Sequence, residues 1–337
     1  MTKSRDPWLD NAKTVLVVLV VVGHSLVLLP AQEERNRLYD FIYYWHMPAF
    51  VLVSGYLSRG FRYDRKHLTQ LVTMFVVPYV IFSWLMAMWR IHVTHEVAGF
   101  DSIWLNPRWP MWYLCAMIMW RLLTPLLRSH PAMILIAIAA SVTGGHWSVE
   151  LFDINRTIGF LPFFTIGLHL GAREMGWLRS PWSRVPAIAF FAFLALWIVP
   201  RTDRYWSTSW MFFRDSFEML DVDPTTGMVL QFCLIVIGLC GALSALALIP
   251  RRWTFLAPMG AYTIVVYLLH GFVIRWLAGW GWAEKVPLTG VAQLLVTVAL
   301  AIGLGLLLGW PPLARRLNYL VDPVGAAQKA KRALAAS

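Results

Sequence analysis

Charge is scarce in this chain. Asp, Glu, Lys and Arg make up only 14% of its 337 residues, against about 25% in an ordinary soluble domain. No polar block is long enough to bury a core of its own, so the composition argues for a single membrane domain. Cysteine is rarer still. Cys115, Cys233 and Cys240 lie in apolar runs with no paired spacing, which indicates neither a disulfide framework nor a zinc site. There is no glycine-rich phosphate loop, no Gly-x-Ser-x-Gly elbow and no His-Glu-x-x-His pair, so soluble hydrolase and kinase chemistry is unsupported. The first apolar run lacks a small-residue cleavage site and carries polar residues inside it, so it is read as a retained helix.

Apolar length is what the chain has instead. Hydrophobic residues make up 58% and the mean hydropathy is +0.59. Runs of roughly spanning length, about 17–25 residues, fall at 13–29, 41–57, 68–91, 109–127, 131–147, 157–172, 185–200, 227–249, 259–278 and 287–309. The expectation is an all-α, polytopic transmembrane bundle of about ten helices. Gly144, Gly145, Pro162 and Gly167 interrupt the fifth and sixth runs.

Net charge is +11, but it is spread over short loops between hydrophobic spans. That pattern fits topogenic charge and attraction to anionic membrane lipid, and argues against nucleic acid. Placing the N terminus inside and alternating puts 17 basic residues inside, 9 outside and Lys13, Arg121 and Arg275 within spans. The positive-inside rule then predicts cytoplasmic N and C termini. The expected domain covers residues 8–310, followed by a basic cytoplasmic tail at 311–337.

Lys13 and His24 are the central pair. Between them run Thr14 to Gly23, eight of them Val or Leu. Eleven residues make about three helical turns, so both side chains point the same way, about 16 Å apart. Asp10 lies within about 60° of that stripe by the same geometry. A cation and an imidazole in an apolar helix are costly in lipid, and usually face a bundle interior or an aqueous cavity. His24 can accept a proton from a hydroxyl or attack an acyl carbon. Lys13 either meets an anion arriving from the cytoplasm or snorkels to the headgroups.

Further candidates follow along the chain. His46 precedes Pro48 near a helix start, with Ser54-Gly55 behind it as a packing signal. Tyr113 lies in Pro110-Met111-Trp112-Tyr113-Leu114, Arg156 precedes Phe160-Leu161-Pro162-Phe163-Phe164, and His270 closes Tyr267-Leu268-Leu269-His270. The stretch Arg201 to Thr226 mixes Asp203, Asp215, Glu218, Asp221 and Asp223 with Trp206, Trp210, Phe212, Phe213 and Phe217. Rings and carboxylates together suit sugar binding. An interfacial aromatic belt with a solvated acidic loop accounts for them equally.

Taken in order, these motifs resemble acyltransferase family 3, nearest to its fucose 4-O-acetylase-like branch. Trp8-Leu9-Asp10-Asn11-Ala12-Lys13 and Val22-Gly23-His24-Ser25 resemble the family's opening. His46-Met47-Pro48 with Ser54-Gly55-Tyr56 resembles its second-helix motif. The Tyr113 segment, Phe160 to Gly167 and Tyr267 to His270 resemble later ones. Lys13 stands where many members carry Arg, and Lys gives no bidentate clamp.

The resemblance implies a membrane enzyme of the cell membrane that moves an acyl group, most often acetyl, from cytoplasmic acyl-coenzyme A to a hydroxyl. The acceptor would be a sugar, a surface glycan or a glycosylated metabolite. It implies catalytic roles for His24, Asp10 and His46. Donor contacts would come from Lys13, Arg59, Arg62 and Lys66, and acceptor contacts from Tyr113, Arg156 and His270. No metal is implied, and a separate extracytoplasmic partner would complete transfer where one is needed. The main rival is a transporter or flippase for a glycan precursor, since intramembrane histidines on one stripe also suit a proton-coupled carrier.

Overall fold

The computed structural model describes residues 5–96, 103–107, 109–149 and 151–325, and every regular element among them is helical. Helix α1 spans Pro7–Leu26. It starts where the Asp6 side chain accepts the Trp8 N–H at 3.1 Å, with Pro7 at the first position and Asp10 in the first turn. Cap, proline and acid each favour a helix start. Then come α2 (Glu33–Tyr43), α3 (His46–Ser58), α4 (Arg65–His92), α5 (Trp112–Leu127), α6 (Met133–Gly144), α7 (Ile154–Gly159) and α8 (Leu161–His169). Beyond a short turn lie α9 (Ala172–Leu178), α10 (Pro181–Arg204), α11 (Pro224–Leu248), α12 (Thr263–Trp280), α13 (Gly290–Gly309) and α14 (Pro311–Val321).

Six of these are long and apolar enough to cross a membrane: α1, α4, α10, α11, α12 and α13. The other expected spans are shorter helices. The run at 41–57 breaks between Tyr43 and His46. Pro48 explains the break, because it cannot donate to the carbonyl of residue 44 in a continuous helix. The run at 157–172 divides into α7 and α8 around Pro162 for the same reason. Helix α6 keeps only twelve residues. Of the expected basic tail, the first part forms α14, while Gln328 to Ser337 lies outside the described residues, as does Arg108.

Helix α1 is the axis of the bundle. About 78% of its spanning window is buried, against 22–50% for the other five. Its first turns are bolted to the segment after α11. Asn11 donates to the carbonyls of Pro250 and Arg252 at 2.9 Å each and accepts from the Thr254 hydroxyl at 2.6 Å. The Thr14 hydroxyl donates to the Leu256 carbonyl at 2.9 Å. Such bonds matter more where no water competes. Helices α3 and α8 touch backbone to backbone. A Cβ on Gly55 would strike the Phe164 carbonyl, and one on Gly167 would strike the Leu52 carbonyl. Only glycine permits that approach.

Candidate active site

Two cavities lie end to end along α1. One, of about 440 Å³, is lined by His24, His46, Trp109, Trp112, Arg156 and Arg275 among others. The second, of about 520 Å³, is lined by Lys13, Ser54, Tyr113, Arg121 and Tyr262 among others. Tyr267 lines both. Its ring packs against Tyr113 at 5.6 Å, and its hydroxyl donates to the Pro110 carbonyl. Both volumes fall within the range of small-molecule sites, about 300–1,000 Å³.

His24 has a defined partner. Its Nδ1 lies 2.9 Å from Nε2 of His270, with the ring planes within 11° of each other. Nδ1 of His270 lies 2.9 Å from the Val266 carbonyl. A carbonyl only accepts, so this nitrogen carries the hydrogen, and in the neutral ring Nε2 is the acceptor. His24 must then donate through Nδ1, which leaves its own Nε2 with a free lone pair. The Trp109 ring meets His24 edge-on at 4.4 Å, and the Arg275 guanidinium sits 5.1 Å from the Trp109 ring. Arg275 also pairs with Glu96 at 3.6 Å, and Arg90 pairs with the same carboxylate at 2.6 Å. Glu96 lies beyond the end of α4. Partial burial works against its ionisation, but hydrogen bonds from Arg90 and Thr94 outweigh it and hold the carboxyl below its ordinary range.

His46 shares this cavity. Its Nδ1 donates to the Ile42 carbonyl at 2.8 Å, one helical turn back across the break, so its Nε2 is also an acceptor. Arg156 donates through Nε to the Phe212 carbonyl at 3.1 Å, pairs with Asp153 at 3.2 Å and lies over the Trp112 ring. The segment at 201–226 covers this end. Met211, Phe212 and Arg214 line the cavity, Thr208 donates to Asp40, and the Trp210 and Phe217 rings stack. Several of its aromatics therefore serve as packing for a cap over the site.

Other candidates lie elsewhere. Asp10 sits near the start of α1, where it pairs with Lys13 at 2.8 Å and Arg5 at 2.9 Å, about 21 Å of helix from His24. His270 is fully buried behind His24 and does not line the cavity. Tyr113 faces the Lys13 cavity, where its hydroxyl bonds that of Ser54 at 2.5 Å. Arg59 lies over the Tyr56 ring and donates to the carbonyls of Tyr56 and Leu170, while Arg62 and Lys66 are exposed; none of the three lines the Lys13 cavity. Trp109, Arg275 and Arg121 line the cavities without having been candidates. For the two arginines, the signal was there in their charge within an apolar span.

Apolar helices of spanning length around a buried polar stripe define a multi-pass helical membrane protein with an interior site. Residues 6–310 match the family profile described as an acyltransferase domain, and the chain belongs to acyltransferase family 3, as a membrane acyltransferase. It is similar to nodulation protein NolL of Mesorhizobium japonicum, with 27% identity over 214 residues, or 57% of this chain and 56% of that one. It is also similar to a nodulation protein NolL of Sinorhizobium fredii, with 39% identity over 61 residues and 17% of each chain. The chain thus matches about half the length of the first relative and a smaller part of the second. No solved structure matches it.

Proposed function

We propose that the protein is an O-acyltransferase that takes an acyl group, acetyl by preference, from acyl-coenzyme A and gives it to a hydroxyl on a sugar, surface glycan or glycosylated metabolite. The observation that carries this reading is the hydrogen-bond order around His24, whose Nε2 keeps a lone pair while Nδ1 is committed to His270. The donor enters from the Lys13 end, where Lys13, the half-buried Arg59 and the exposed Arg62 and Lys66 attract its phosphates. The N and C termini are cytoplasmic, residues 8–310 form the catalytic domain, 311–337 form a basic tail, and the host membrane is the plasma membrane.

The thioester reaches past Tyr267 to His24. Nε2 of His24 removes the proton from the acceptor hydroxyl as its oxygen attacks the thioester carbonyl. The carbon–sulfur bond then breaks, and the departing coenzyme A thiolate regains a proton. A thioester is already activated, so a positioned base supplies most of what is missing, about 10²–10⁴-fold. His46 Nε2 and Arg156 orient the acceptor from the opposite wall.

The test is purified protein in proteoliposomes, with labelled acetyl-coenzyme A on one side only and a panel of glycosides on either side. Acylated product that forms only when the donor faces the Lys13 end supports the proposal. Movement of a glycan across the vesicle without donor, and without acylation, would replace it with a carrier.

A further inference from the structure

Four arginines bury an Nε that has no hydrogen-bond partner: Arg121, Arg179, Arg251 and Arg275. Three of them satisfy the guanidinium elsewhere. Arg179 pairs with Asp6, Arg251 donates to the Ser180 carbonyl and Arg275 pairs with Glu96. Arg121 has no hydrogen bond or ion pair among the described residues. Its one neighbour of note is the Phe75 ring, 4.7 Å from the guanidinium carbon. An unpaired cation inside a membrane bundle is expensive, and such residues mark sites where a charge is met by something else.

Its position says where that charge would come from. Arg121 lines the Lys13 cavity. It lies six residues before the end of α5 at Leu127, and Lys13 lies six residues after the start of α1 at Pro7. At 1.5 Å per residue each is about 9 Å from its helix end. The helices run in opposite directions, since Trp112 at the start of α5 lines the His24 cavity. The two cations therefore lie toward the same end of the bundle and line the same cavity. Lys13 is met by Asp10, but Asp10 also serves Arg5, so one carboxylate faces two cations. Asp322 lines the cavity too, and accepts the Gly325 N–H at 2.8 Å.

We infer that Arg121 and Lys13 together form a phosphate-binding pair, and that the phosphate is that of the acyl-coenzyme A donor. This rests on the proposed function. Lys13 contributes a point charge, and Arg121 contributes the planar fork that a lysine cannot offer. Phe75 lines the same cavity and holds the guanidinium at its wall by a cation–π contact.

The experiment measures binding rather than turnover, using purified protein in nanodiscs of neutral phosphatidylcholine. Acetyl-coenzyme A and S-acetylpantetheine, which carries no phosphate, are titrated into wild type, Arg121→Gln and Arg121→Lys. Loss of a charge-assisted bond predicts at least about tenfold weaker acetyl-coenzyme A binding in Arg121→Gln. S-Acetylpantetheine affinity should change less than twofold, and Arg121→Lys should recover part of the loss. Equal losses for both ligands, or no loss for either, overturn the inference and leave the proposed function standing. Wild type that binds no acetyl-coenzyme A overturns both. If Arg121→Gln binds the donor normally but retains less phosphatidylglycerol from mixed-lipid nanodiscs, the phosphate belongs to a lipid headgroup and the assignment to the donor fails. Arg121→Lys also guards against misfolding, because it keeps the charge and nearly the size.

Discussion

Removing the acceptor behind His24 should slow the chemical step without weakening substrate binding. In His270→Met the side chain keeps its bulk but offers Nδ1 of His24, now 2.9 Å from its partner, only a weak thioether acceptor. A buried donor left unsatisfied costs about 1–3 kcal/mol. His24 then regains a partner only by turning, or by moving its hydrogen to Nε2, and either change takes the lone pair away from the acceptor hydroxyl. If that whole cost falls on the transition state, kcat drops by about 5–150-fold at 1.36 kcal/mol per factor of ten. KM for both substrates should change little, because His270 does not line the cavity. His270→Gln, whose amide oxygen can reach the Nε2 position, should restore much of the rate. The assay is steady-state transfer of labelled acetyl from acetyl-coenzyme A by purified protein, with thermal unfolding run beside it. A His270→Met protein that is stable and turns over at the wild-type rate would refute the positioning role.

Lys13→Ala should raise the dissociation constant for acetyl-coenzyme A by about tenfold or more, while Lys13→Arg keeps it near wild type, as calorimetric titration would measure. Gly55→Ala and Gly167→Ala each force a methyl into a facing carbonyl; both should lose about 1–3 kcal/mol of stability, read as a lower unfolding midpoint. Asn11→Ala deprives the Pro250 and Arg252 carbonyls of their donor and should cost about 1–3 kcal/mol. Proteolysis of the segment after α11 should speed up in parallel.

Parts of this architecture were readable from residue order alone. Helical periodicity put Lys13 and His24 on one stripe because that relation is local to a single helix. Charge counting left Arg121 and Arg275 within spans, where the cost of charge in lipid marks them as odd, but it did not make them candidates or say which cavity each would face. The breaks at 44–45 and 160 were foreshadowed by Pro48 and Pro162, yet hydropathy averages over them and reported spans of full length. What stayed hidden was long-range. His24 and His270 are 246 residues apart, and nothing local to either says that one imidazole fixes the hydrogen position of the other. Asn11 looked like part of a charged motif, but its three bonds go to a segment about 240 residues away. The aromatics of the 201–226 segment could equally have stacked on a sugar or on each other, and packing settled Trp210 and Phe217 toward each other.

The most direct test of the account is acetyl transfer by purified His24→Gln protein beside wild type, at saturating acetyl-coenzyme A and with folding confirmed by unfolding temperature. The account predicts that kcat falls at least about 10²-fold, while the affinity for acetyl-coenzyme A stays within a few-fold. A folded His24→Gln protein that transfers acetyl at a near-normal rate would contradict it.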